Sequence, residues 1–136
     1  MARDDIPDEV RRFILTSIAS VPYLEAMLLL RGAPEDEWDS KRVAQRLYVS
    51  EKVAAELLSS LYDSGLLVLS DKSPALGEAQ PPLYCYRPMS DALAAIIDQL
   101  AEVYAKNLIG VTNLIHANSG IKVQQFADAF KWRKES

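Results

Sequence analysis

Apolar residues recur at helical spacing along most of the chain, and one region breaks that pattern with short alternating runs. Pro7 suits the first turn of a helix, and the apolar positions after it predict an N-terminal helix within residues 1–19. A denser apolar run follows and is stopped by Gly32 and Pro34, which predicts a second helix.

The pattern that follows residue 38 is typical of two short helices joined by a tight turn. The first helix covers residues 40–47, where Asp39 or Ser40 can cap its free amides, and residues 48 and 49 form the turn. Ser50 caps the second helix. The apolar stripe predicted to be buried in that helix consists of Val53, Ala54, Leu57, Leu58 and Leu61.

Two short strands are predicted beyond the second helix, which ends at Gly65. They cover residues 66–69 and 83–87. The segment between them contains a glycine and three prolines, which predicts a loop. Together these elements predict a mainly α fold, with a winged helix-turn-helix core over residues 21–88 and a two-stranded β wing.

The sequence of residues 43–69, VAQRLYVSEKVAAELLSSLYDSGLLVL, resembles the helix-turn-helix core of winged-helix transcriptional regulators, particularly the MarR-like group. At the level of pattern the resemblance covers residues 21–88. The features that carry it are the small residue Ala44, the turn at Val49 and Ser50, and the closing Gly65 and Leu66.

The resemblance implies that the second helix enters the major groove of DNA and that the wing lies along the backbone or the minor groove. MarR-like wings usually carry an Asp-x-Arg pair, whereas residues 70–73 contain only a lysine as a cation. Glu51 and Glu56 oppose phosphate contact unless a carboxylate accepts a hydrogen bond from cytosine N4. The candidate contacts to double-stranded DNA are Lys41, Arg42, Arg46, Ser50, Lys52, Ser59 and Lys72.

Ser90 is expected to cap a long apolar helical pattern. A continuous helix of that length would be roughly 40 Å long, so part of its apolar face would need a partner. The expected partner is a second copy of the chain, with the N-terminal helix and residues 90–136 forming the homodimer. Asn107 would then fix the register of the paired helices, whereas a break at Gly110 would let the later piece fold back.

Residues 121–136 form a last amphipathic segment with a basic end. One interpretation is that its cations complement the negative end of a helix and that Trp132 docks on its own chain. The other is that the segment binds a further protein. The candidate partner-binding residues are Phe126, Phe130, Lys131, Trp132, Arg133 and Lys134.

Composition and charge narrow the function classes. With 136 residues, 49% of them hydrophobic, the chain is expected to form a single domain over residues 1–136 without metal or disulfide. A lone cysteine, Cys85, and the lack of a signal peptide or a long apolar run predict a cytoplasmic protein with no membrane partner. Residues 39–72 carry five basic and five acidic side chains. A strong contribution of counterion release to DNA affinity is therefore not evident.

No catalytic, cofactor or metal-binding motif is found, and His116 has no predicted catalytic partner, so an enzyme is not expected. The leading hypothesis is a homodimeric DNA-binding transcriptional regulator. The alternative is a winged-helix adaptor that binds another protein through its tail and does not bind DNA. A third possibility is a regulator that binds a small-molecule effector in a pocket lined by tyrosines.

Overall fold

The structure is a computed structural model that describes residues 6–74 and 80–117. The expected mainly helical fold with a two-stranded antiparallel wing is confirmed in this part of the chain. The predicted tail over residues 121–136, including Phe126, Phe130 and residues 131–134, lies outside the described residues. The elements are α1 (Asp8–Ser17), α2 (Val21–Arg31), α3 (Ser40–Leu47), α4 (Glu51–Asp63), β1 (Leu67–Leu69), β2 (Tyr84–Tyr86), α5 (Asp91–Lys106) and α6 (Leu108–Ala117).

The chain divides into two compact units. In the described part of the chain, the first contains residues 6–21 and 96–117, and the second contains residues 22–74 and 80–95. The buried apolar side chains described in the first unit come from α1 and its flanks, from α5 and from α6. They are Ile6, Val10, Ile14, Ile18, Ile97, Leu100, Val111 and Ile115.

The long C-terminal helix is interrupted at Asn107, three residues before the glycine where a break was considered. The Asn107 amide still donates to the Val103 carbonyl at 2.8 Å, while its side-chain oxygen accepts from the Gly110 amide at 3.0 Å. Asn107 therefore ends α5 and caps α6. A Cβ at position 110 would collide with the Asn107 amide, so glycine leaves room for this cap.

The second unit is built around α4. This helix packs against α3 and β1, and its buried residues are Ala54, Leu58 and Leu61. The predicted buried stripe is wrong at Val53, which is 38% exposed because it lies at the edge of the apolar arc of the helix, and Leu57 is only half-buried. The other buried apolar residues of the unit are Tyr23, Leu24, Ala26, Met27, Leu30, Trp38, Val43, Ala44, Leu66 and Leu67.

Two side-chain caps fix the ends of α3 and α4. The Asp39 carboxylate accepts a hydrogen bond from the Arg42 amide at 2.8 Å, and the Ser50 hydroxyl accepts one from the Val53 amide at 3.1 Å. Each cap satisfies an amide that the helix cannot pair internally. The sequence predicted both the extent of α3 and the cap of α4.

The wing has a third, single-residue member that the sequence did not predict. β1 and β2 pair antiparallel, with Val68 opposite Cys85, and each strand is shorter than predicted. On the other side of β2, Trp38 forms a bridge with Tyr84, in which each amide donates to the other's carbonyl at 2.8 Å. The loop before α3 is therefore joined to the wing through main-chain hydrogen bonds.

We expect Gly65→Ala to lower the free energy of unfolding by about 1–3 kcal/mol, because Gly65 has a φ of +84° and an added Cβ would also meet the Met89 side chain. Gly32→Ala is the matched control, since its Cβ would touch only two backbone oxygens at 3.5 Å. Urea unfolding midpoints check this prediction. Equal losses for the two variants would contradict it.

Candidate nucleic-acid interface

The candidate DNA contacts all lie in the second unit, on α3, on α4 and at the start of the wing loop. Because α4 turns Ala54, Leu58 and Leu61 inward, the opposite face of this helix is mostly polar and open to solvent. That face includes Lys52, Glu56, Ser59, Ser60 and Asp63, all of them exposed. The arrangement presents a capped helix whose polar side is available to a large partner.

The N-terminal end of α4 combines a cap with a cation. Ser50 uses its hydroxyl oxygen to accept the Val53 amide, so its own O–H is still able to donate. Lys52 is exposed in the first turn. The free amides at this end give it a partial positive charge, which favours an anionic partner such as a phosphate.

Arg42 is held by the loop that precedes α3. Its guanidinium donates to the Glu37 carbonyl at 2.8 Å and to the Asp36 carboxylate at 3.0 Å. The guanidinium carbon also lies 3.9 Å from the centre of the buried Trp38 ring, in a cation–π arrangement. These contacts give Arg42 a structural role in addition to any contact with DNA.

The start of the wing loop is held by Glu37. Its carboxylate accepts a hydrogen bond from the Ser70 hydroxyl at 2.6 Å and lies 4.0 Å from the Lys72 ammonium group. The Lys72 amide in turn donates to the Ser70 hydroxyl oxygen at 3.1 Å. The wing cation therefore sits beside a carboxylate, which reduces its net attraction for a phosphate.

Three candidate cations remain more open. Lys41 and Lys52 are exposed and make no ion pair within residues 6–74 and 80–117, and the Arg46 guanidinium carbon lies 5.8 Å from the centre of the Trp38 ring. Three acids on α4, at positions 51, 56 and 63, are exposed as well. Since the charges balance, binding of DNA here would depend on the placement of individual contacts more than on net charge.

Sequence reasoning missed two exposed apolar side chains at this surface. Val53 was expected to be buried, and Tyr48 was expected to form a turn or to line an effector pocket. Tyr48 is 93% exposed and lies in the left-handed region, with a φ of 59° and a ψ of 44°. That conformation costs a residue with a Cβ about 1 kcal/mol or more.

The tyrosines proposed to line an effector pocket have different environments. Tyr23 is buried and donates to a serine hydroxyl at the end of α4, whereas Tyr48 points into solvent. Tyr62 and Tyr84 lie ring against ring, with centroids 5.5 Å apart. Burial raises the pKa of Tyr84, and the neighbouring Tyr62 and Asp63 raise it further, so this phenol stays neutral.

Two further observations concern other functional classes. No single helix in the described part of the chain is long and apolar enough to span a membrane, and α1 and α2 meet that test only as a bent pair. Among the same residues, no group of three or more histidines, cysteines and carboxylates is placed to hold a metal ion.

Comparison with known proteins finds similarity in structure alone. No family model and no curated protein matches the sequence. The heme sensor protein PefR from Streptococcus agalactiae, in complex with heme, is 15% identical over 90% of this chain and 82% of its own, with a TM-score of 0.52. Heme-free PefR is 15% identical over 90% of this chain and 87% of its own, with a TM-score of 0.53.

A possible transcriptional regulator from Methanosarcina mazei Go1 is also similar. It is 15% identical over 73% of this chain and 79% of its own, with a TM-score of 0.50. Likeness at this level of identity shows the fold alone. It confirms the winged-helix fold that the sequence resemblance implied.

We expect Arg42→Ala to lower the free energy of unfolding by about 1–2 kcal/mol, because it removes two hydrogen bonds and the cation over the Trp38 ring. Lys41→Ala, on the adjacent exposed position, is the control and should change stability by less than about 0.5 kcal/mol. Chemical denaturation of both variants measures the difference. A loss at Lys41 as large as that at Arg42 would refute the structural role.

Proposed function

We propose that this chain, which has the fold of the MarR-like winged-helix regulators, is a DNA-binding transcriptional regulator that acts as a homodimer. One observation carries the proposal: α4 is anchored by its buried face and capped by Ser50, so that its polar face is held outward. A helix presented in this way fits the major groove of a duplex.

The proposed contacts follow from exposure and charge. Lys41 and Arg46 would bind phosphates beside the groove, while Lys52 and Ser59 would meet base edges or phosphates within it. Arg42 and Lys72 would border this surface, and their carboxylate neighbours would weaken their contribution. Ser50 would donate its hydroxyl proton to a phosphate at the end of α4.

The acidic residues of α4 favour sequence-specific DNA binding over non-specific binding to phosphates. A carboxylate near phosphates is repelled unless it accepts a hydrogen bond from a base such as cytosine. Glu56 lies on the outward face of α4 and is the residue we assign to that contact. The same exposed acids also favour the competing function, an adaptor that binds another protein with its winged core and its tail and does not bind DNA.

The homodimer would form through the first unit. Within that unit α6 exposes two large apolar side chains, Leu108 at 55% and Ile109 at 71%. Adjacent apolar side chains of this size are a common feature of protein interfaces, because their burial on association is favourable. Two linked copies of α4 would each bind half of a two-fold DNA site, which raises the affinity for the whole site.

We expect salt-sensitive and sequence-preferring binding when labelled duplexes from a randomised pool are titrated with the full chain. Lys52→Ala should weaken binding by about fivefold and reduce the slope of log affinity against log salt by about one. Lys106→Ala, an exposed lysine on α5 outside the proposed surface, is the control and should leave both quantities unchanged. Negligible affinity of the unmodified chain for every duplex at low salt would exclude this function and leave the adaptor.

We expect Ile109→Glu to shift the chain from dimer to monomer, because a charge at this position would be buried without a partner in the proposed interface. Met89→Glu is the control, since Met89 is 77% exposed and belongs to the second unit. Sedimentation equilibrium would show at least a tenfold rise in the dimer dissociation constant for Ile109→Glu alone. A monomeric unmodified chain, or equal effects of both variants, would contradict the interface.

A further inference from the structure

The turn between α3 and α4 contains a backbone conformation that its residue type disfavours. Tyr48 caps α3 with its amide bonded to the Ala44 carbonyl, and the Val49 amide bonds the same carbonyl at 3.2 Å. These two bonds require a left-handed residue at position 48, where glycine or asparagine is the usual choice. Tyr48 is the one non-glycine residue with positive φ within residues 6–74 and 80–117.

No contact of the Tyr48 side chain within the described residues offsets the cost of this backbone conformation. Tyr48 is 93% exposed, and it makes no side-chain hydrogen bond or ring contact with the described residues. A large side chain that neither packs nor hydrogen-bonds does not stabilise the fold. Strained residues of this kind cluster at functional sites.

The position of Tyr48 indicates what the side chain meets. It lies two residues before Ser50, at the end of α4 that carries the partial positive charge. Arg46 precedes it by two residues, and Lys52 follows it by four. A phenol that lies close in sequence to two cations and to the start of a capped helix suits a contact with an anionic backbone better than a contact with a purely apolar surface.

We propose that Tyr48 is a DNA-backbone contact that positions α4 in the groove, with its hydroxyl donating to a phosphate oxygen and its ring packed on the adjoining deoxyribose. This inference rests on the proposed function, and it assigns a role to a residue that sequence reasoning did not include among the candidate DNA contacts. A tyrosine suits the role because it supplies a large, rigid contact with only two side-chain torsions to fix. The left-handed turn aims the ring away from the core.

The test compares three variants of the full chain: Tyr48→Phe, Tyr48→Gly and Tyr48→Asn. The probe is the best-binding labelled duplex selected from the randomised pool by the unmodified chain. Tyr48→Phe should weaken binding by about threefold through loss of the phosphate hydrogen bond, and Tyr48→Gly or Tyr48→Asn by about tenfold through loss of the ring as well. The Tm of the glycine and asparagine variants should be unchanged or higher, because both residues accept the left-handed conformation.

Tyr62→Phe is the matched control, because it removes a hydroxyl from an exposed tyrosine near the opposite end of α4. It should leave duplex affinity unchanged. Retained affinity in all three Tyr48 variants would overturn the inference while leaving the proposed function in place. No duplex binding by the unmodified chain would overturn both. A glycine variant that loses Tm would show a structural role, and Tyr48→Phe would then decide whether the hydroxyl contacts DNA.

Discussion

The second unit depends on the buried Trp38, which joins the loop before α3 to the wing. A hairpin of two three-residue strands is only marginally stable by itself. Trp38 adds two main-chain hydrogen bonds to Tyr84 on the free side of β2, and its ring is almost fully buried beneath the Arg42 guanidinium. Since α3 begins two residues later, this contact fixes the wing and the first helix of the turn together.

Because α4 packs against elements fixed in this way, its outward face is the surface available to a partner. The surface formed by α3 and α4 is neutral, because three open cations, two on α3 and one on α4, balance the three exposed acids of α4. If the chain binds DNA as proposed, such a surface would give weak non-specific binding, because few counterions would be released from a duplex. Specific base contacts and a second copy of the chain would then supply most of the affinity, which is consistent with a regulator that must ignore most of a genome.

Local signals in the sequence predicted much of the second unit. Contacts between residues far apart in the chain were not predicted. The Asp39 and Ser50 caps and the Gly65 stop follow from residue types whose preferences act within one turn. The bridge from Trp38 to Tyr84 joins residues far apart in the chain, so no local pattern indicates it. The exposure of Tyr48 could not be predicted either, because its position looks like an ordinary turn until the backbone angle is known.

Amide hydrogen exchange, resolved by residue and measured with and without a selected duplex, tests the central claim most directly. The account predicts slow exchange at Trp38 and Tyr84 in both states, because the amide of each residue donates to the carbonyl of the other. It also predicts that the duplex slows exchange in the turn at residues 48–50 and in the first turn of α4. Fast exchange at Trp38 and Tyr84, or duplex protection elsewhere with α4 unchanged, would contradict the account.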